Sequence, residues 1–104
     1  MREVVIIGVG LHKFGRFPEK TVREMGREAI ENALADSGVP FKDIEVGYVG
    51  HVYQPMGTGL RVVQEFGQTG IPIVNMEVAC TSSTQCVVRA AWEIIWPLMV
   101  IRSR

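Results

Sequence analysis

Hydrophobic positions in this chain follow two different periods. Residues 3–10, Glu3-Val4-Val5-Ile6-Ile7-Gly8-Val9-Gly10, form a near-continuous β-branched run. Such a run predicts a strand buried on both faces, as in a parallel sheet. Residues 21–37 change period. Val22, Met25, Ala29, Ile30, Ala33 and Leu34 share one stripe at helical spacing. Thr21 and Glu24 make a capping-box signature at its start, and Gly38 and Pro40 end it. The stripe reads as a core face, with Arg23, Arg27, Glu28 and Glu31 on a solvated face. A second strand is predicted over residues 43–52, where Gly47 and Gly50 suggest close backbone approach. A loop at 53–59 and a short helix at 60–66 follow.

The stretch 71–96 organises the rest. Its apolar opening, Ile71-Pro72-Ile73-Val74-Asn75-Met76, has a strand's length and β-branched content. A tight turn bearing Cys80 is predicted next, then a helix starting at or just after that cysteine. Thr81-Ser82-Ser83-Thr84 offers N-cap hydroxyls. From Cys86 to Trp96 apolar residues occupy nearly every side, which predicts a buried helix. A cysteine at a helix N-terminus sits near unpaired N–H groups and the positive end of the dipole. Both favour thiolate, a competent nucleophile for acyl transfer. The plainer reading is a small buried hydrophobe, since free cysteine is among the most buried residue types.

The order β-α-β-α-β-α predicts an α/β fold, a mainly parallel sheet with right-handed crossovers in three layers. At 104 residues the chain makes at most one small domain, and 47% hydrophobic with 21% charged content argues against disorder. Eleven basic side chains balance eleven acidic ones, so no basic excess points to nucleic acid. No apolar run reaches membrane-spanning length, and no membrane insertion is expected. Two cysteines make no disulfide framework and, six positions apart on one helix, would sit roughly 120° apart around it. A reducing, cytoplasmic setting is expected. Gly8-Val9-Gly10 invites a dinucleotide-binding reading, but Lys13 occupies the third glycine position and a loop follows. His12 and His51 are single histidines without a motif partner, a pattern that is more often structural. No metal site is predicted.

The segment Val74-Asn75-Met76-Glu77-Val78-Ala79-Cys80-Thr81-Ser82-Ser83 resembles the nucleophile motif of the thiolase superfamily. The branch it is most similar to is the lipid-transfer-protein, or sterol-carrier-type, thiolases. Three upstream segments fit that branch in order: Gly8-Val9-Gly10 with Lys13-Phe14-Gly15, then Tyr48-Val49-Gly50, then Glu65-Phe66-Gly67-Gln68-Thr69-Gly70-Ile71-Pro72. The resemblance covers roughly residues 3–95. It implies the start of a thiolase-like half-domain over residues 1–96, in which the helix after the cysteine is central and buried. It implies a thiolase-type acyltransferase of the acetyl-CoA acetyltransferase kind, with Cys80 as the acylated nucleophile. A coenzyme A thioester would be its substrate, and no bound cofactor is implied. It also implies a homo-oligomer or a partner subunit.

Two departures stand out. Ser83 replaces the glycine usual at or next to that position, and Cys86 lies where small or apolar residues are usual. The family's activating histidine and second cysteine come from segments around Gly-His-Pro and Cys-x-Gly. His12, His51 and Cys86 match neither, so only Cys80 carries over. Pro97 should end the helix, and residues 97–104 read as an atypical tail with a stub strand or frayed end. The expectation is a truncated or frameshifted reading frame, or a fragment, inactive alone. A non-catalytic thiolase-like subunit or partner-binding module is the alternative. A thiol redox protein would call for C-x-x-C, which the cysteine spacing does not give.

Overall fold

Thr21 starts the first helix as its side chain dictates. In the computed structural model, which describes residues 2–96, α1 spans Val22–Ser37. The Thr21 hydroxyl accepts from the Glu24 N–H at 3.2 Å, and the Glu24 carboxylate accepts from the Thr21 N–H at 3.0 Å. At the other end Gly38 adopts φ 72°, and its N–H donates to the Leu34 carbonyl at 2.9 Å. A residue with a Cβ pays a steric penalty in that left-handed region, which glycine avoids.

Strand β1 (Gly47–Gly50) and strand β2 (Ile73–Met76) pair in parallel, with Gly47 opposite Ile73 and Gly50 opposite Met76. Between them lies α2 (Thr58–Val63), continued by a 3₁₀ turn over Gln64–Phe66. Helix α3 (Ser82–Ile95) follows β2 and packs on both strands, mainly β1. Helix α2 touches both strands and α1, so it joins the sheet to the first helix. Asn75 of β2 fastens this joint: its Oδ1 accepts the Gly59 N–H at 2.6 Å, in the first turn of α2. Arg23 pairs with Glu65, and Arg27 reaches the same carboxylate at 3.8 Å, which ties α1 to the 3₁₀ turn. Val62 and Val63 of α2 and Cys86 of α3 are the buried apolar side chains among the described residues.

The fold is α/β with a parallel pair, as the residue pattern predicts, but the first strand does not form. Residues 3–10 pair with no strand among the described residues and lie beside α1 instead. The Val9 N–H donates to Asp36 Oδ2 at 2.9 Å, and Asn32 Nδ2 donates to the Leu11 carbonyl at 3.4 Å. The Val9 N–H and the Leu11 carbonyl are thus satisfied by α1 side chains, not by a ladder. Gly8 and Gly10 permit the approach: a Cβ on Gly8 would lie 2.7 Å from the Ala33 carbonyl oxygen. The cost is exposure, with Ile6 80% and Val9 68% accessible where burial on both faces is predicted.

Three further expectations change. The second strand is shorter than predicted, Gly47–Gly50, and Phe41–Asp43 forms a 3₁₀ turn ahead of it. The short helix begins earlier, at Thr58, directly after Gly57 in the left-handed region. Helix α3 is not buried all round. Val87, Trp92 and Ile94 are exposed, while its Glu93 is only 7% accessible. The side turned to the sheet decides burial, and a two-stranded sheet covers only one side of a helix. The predicted tail at 97–104 lies outside the described residues.

Candidate active site at the Cys80 turn

Cys80 sits in a five-residue turn between the carboxyl end of β2 and the start of α3. Ligands of open parallel α/β sheets bind at this end of the strands. The turn is tightly bonded. The Thr81 N–H donates to the Val78 carbonyl at 3.0 Å, and the Ser82 N–H to the Ala79 carbonyl at 3.3 Å. Ala79 takes φ 48°, a left-handed conformation that costs an L-residue roughly 1–2 kcal/mol. That backbone reversal directs Cys80 outward, and its thiol is free and exposed.

The four hydroxyls divide their work differently from a simple N-cap. Thr81 holds the N-cap position but makes no side-chain cap bond; its hydroxyl donates to the Val78 carbonyl at 2.8 Å. Ser82 is 4% exposed. Its Oγ accepts the Val78 N–H at 2.8 Å and donates to the Ala79 carbonyl at 2.9 Å. The His51 carbonyl stands 3.5 Å away. Gly50 makes this contact possible, because a Cβ there would lie 2.8 Å from the Ser82 carbonyl carbon. The start of α3 therefore rests directly on the end of β1.

His51 follows β1 at the same end of the sheet, and its N–H donates to the Met76 carbonyl at 3.0 Å, extending the ladder. Its ring Nδ1 is buried without a hydrogen-bond partner among the described residues. His12 belongs elsewhere. Its Nε2 lies 3.0 Å from Glu28 and 3.1 Å from the Lys20 ammonium, and its ring meets Phe17 edge-on. Those contacts commit it to the loop against α1, a structural role. Cys86 is the buried cysteine, one turn into α3, and burial pushes its thiol up from the ordinary range. Tyr48 of β1 is also pushed up, first by burial and then by the Glu93 carboxylate, to which it is hydrogen-bonded. This Tyr48–Glu93 pair explains how a glutamate can be buried on α3.

Sequence reasoning singled out Cys80 and the close approach at Gly50. It did not separate Ser82 from its three hydroxyl neighbours, nor find the left-handed Ala79. A run of hydroxyls marks a helix start, but which one turns inward depends on what lies beneath it. Among the described residues, no group of three or more His, Cys, Asp or Glu could hold a metal ion, and no helix is long and apolar enough to cross a membrane.

The site is thus a free, exposed cysteine between a parallel strand and a helix on an α/β frame. The comparisons then place the chain. Residues 4–97 match the family profile "Thiolase, N-terminal domain", so the chain belongs to the thiolase family. It is 37% identical over 86 residues to sterol carrier protein 2 of Gallus gallus, covering 80% of this chain and 16% of that protein. It is 38% identical over 85 residues to the non-specific lipid-transfer protein-like 2 of Caenorhabditis elegans, covering 79% and 21% respectively. An acetyl-CoA acetyltransferase of Methanocaldococcus jannaschii is 35% identical over 103 residues, covering 90% of this chain and 25% of that protein. The 3-oxoacyl-[acyl-carrier-protein] synthase III of Aquifex aeolicus shares the fold, with a TM-score of 0.65 at 17% identity, covering 74% of this chain and 26% of that one. The chain thus spans between 16% and 26% of the length of these proteins.

Proposed function

We propose that this chain supplies the nucleophile-bearing part of a thiolase-type acyltransferase, with Cys80 as the residue that is acylated. One observation carries the reading: a free, exposed thiol held by a bonded turn at the carboxyl end of a parallel strand, in a chain of the thiolase family. The thiolate would attack the carbonyl of a coenzyme A or 3-oxoacyl thioester. A new carbon–sulfur bond forms at Cys80, the bond to the leaving group breaks, and that group departs with the electron pair and takes a proton. The acetyl-CoA acetyltransferase relative supports an acyl-CoA substrate. Two free cysteines fit a reducing, cytoplasmic setting.

The 104 residues alone should not turn over. Acyl transfer also needs a base, contributing about 10²–10⁴-fold, and oxyanion donors, contributing about 10²–10³-fold each. His12 is bound to Glu28 and Lys20, and His51 matches no catalytic motif. The test is mass spectrometry after incubation with acetyl-CoA, beside Cys80→Ala. Slow stoichiometric acetylation at Cys80, with no acetoacetyl-CoA thiolysis, is expected. Acetylation at Cys86 instead, or none at all, would refute the assignment. Multiple turnovers abolished by Cys80→Ala would show that a local histidine does serve as base.

A second reading is favoured by a separate observation. Val87, Trp92 and Ile94 expose apolar surface on α3, and contiguous patches of that kind mark association. The chain would then act as a subunit within an oligomer, or as a partner module without catalysis of its own.

A further inference from the structure

We infer that Ser82 is the positioning residue of the Cys80 turn; the assignment of chemistry to Cys80 rests on the function proposed above, but the positioning does not. The Ser82 hydroxyl closes the turn from inside. It accepts from the N–H of Val78, before Cys80, and donates to the carbonyl of Ala79. It is 4% exposed, so water does not compete for these bonds. Ala79 between them holds φ 48°, a conformation that persists only when its surroundings over-determine it. The Ala79 carbonyl receives both the Ser82 N–H and the Ser82 hydroxyl, which supplies that over-determination.

Ser82 also anchors the turn to the rest of the fold. Gly50 lets the backbone of Ser82 approach β1 closely, with the His51 carbonyl 3.5 Å from the hydroxyl. The exposed Thr81 hydroxyl does less. It adds a second donor to the Val78 carbonyl, which already accepts the Thr81 N–H. Loss of the Ser82 hydroxyl would leave the Val78 N–H without its acceptor and free Ala79 to relax toward right-handed backbone. Cys80 would then leave its set position at the start of α3.

The experiment compares Ser82→Ala, Ser82→Thr and Thr81→Val in the 104-residue chain. Amide exchange at Val78 and the Ala79 HN–Hα coupling read the turn. Iodoacetamide labelling at Cys80 reads its presentation, and labelling at Cys86 reports general opening. Ser82→Ala should speed Val78 exchange at least about tenfold and slow Cys80 labelling about fivefold, the scale of one lost buried bond and a displaced nucleophile. Cys86 labelling should stay within about twofold. Ser82→Thr should restore both, and Thr81→Val should leave both within about twofold of the parent, the range of a lost exposed bond. Unchanged Val78 exchange, unchanged Cys80 labelling, or an equal effect of Thr81→Val would overturn the inference. If Ser82→Ala does not fold, the Ser82→Thr and Thr81→Val arms decide it. Fivefold slower labelling in either would refute the role, and parent-like rates in both would support it. Acetylation by acetyl-CoA is followed separately. Its absence in the parent sinks the acyltransferase reading while the labelling comparison still judges Ser82.

Discussion

Replacing Gly26 by alanine sets two effects against each other, and the structure decides between them. Gly26 lies inside α1, where alanine should gain about 1 kcal/mol from helix propensity. A Cβ at this position would lie 2.5 Å from Val62 Cγ1 and 3.3 Å from Cγ2. Carbon atoms rest at about 3.5–4.0 Å, so the first contact is too short by roughly 1 Å. Val62 belongs to α2 and is 5% exposed. Valine in a helix keeps essentially one rotamer, so its methyls cannot swing aside. Helix α1 must move off α2, and overpacking of this kind costs about 1–3 kcal/mol. The net expectation for Gly26→Ala is a loss of about 1 kcal/mol, or a fall in Tm of about 4–8 °C for a domain this size. Urea unfolding followed by far-UV circular dichroism measures it. Combining Gly26→Ala with Val62→Ala should then cost less than the two separate losses summed, by about 1–3 kcal/mol, because the clashing methyls are gone. A higher Tm for Gly26→Ala, or strict additivity in the double variant, would show that the α1–α2 contact does not require glycine.

Ala79→Gly should be neutral or up to about 1 kcal/mol more stable, since relief of left-handed strain exceeds the entropy glycine adds to the unfolded chain. Ala79→Val should lose more than about 1 kcal/mol, since a β-branched residue tolerates positive φ poorly; equal denaturation midpoints for Val and Ala would contradict the strain. Burial raises the Cys86 thiol in the folded chain, so the native state holds its proton longer than the unfolded state does. Stability from this group is complete below the ordinary thiol range and should fall as pH climbs above about 8.5. Cys86→Ala should flatten that decline above the ordinary thiol range, and an unchanged slope would place the alkaline loss elsewhere. The chain should also self-associate through the exposed α3 face and residues 4–9; a monodisperse monomer in light scattering at tens of micromolar, roughly, would argue against it.

What could be read from residues alone was local. Thr21, Glu24 and Gly38 set both ends of α1 because caps are made by side chains a few positions away. Strands β1 and β2 as extended segments, and the turn and helix around Cys80, were legible because apolar period and hydroxyl clustering are short-range signals. The same β-branched content at residues 3–10 misled, since a strand needs a neighbour with free backbone groups. Here the Val9 N–H goes to Asp36 of α1 instead, and Asn32 holds the Leu11 carbonyl just beyond the run. The apolar circumference of α3 likewise states what the residues could bury, not what two strands can cover. Only the folded chain selected Ser82 from four adjacent hydroxyls, by laying it over Gly50 at the end of β1. It also bent Ala79 into left-handed backbone, a choice made by hydrogen bonds from Ser82 and invisible in the identity of an alanine. Burial, partner choice and strain arise between segments distant in the chain, so they were decided only when α3 came down on the sheet.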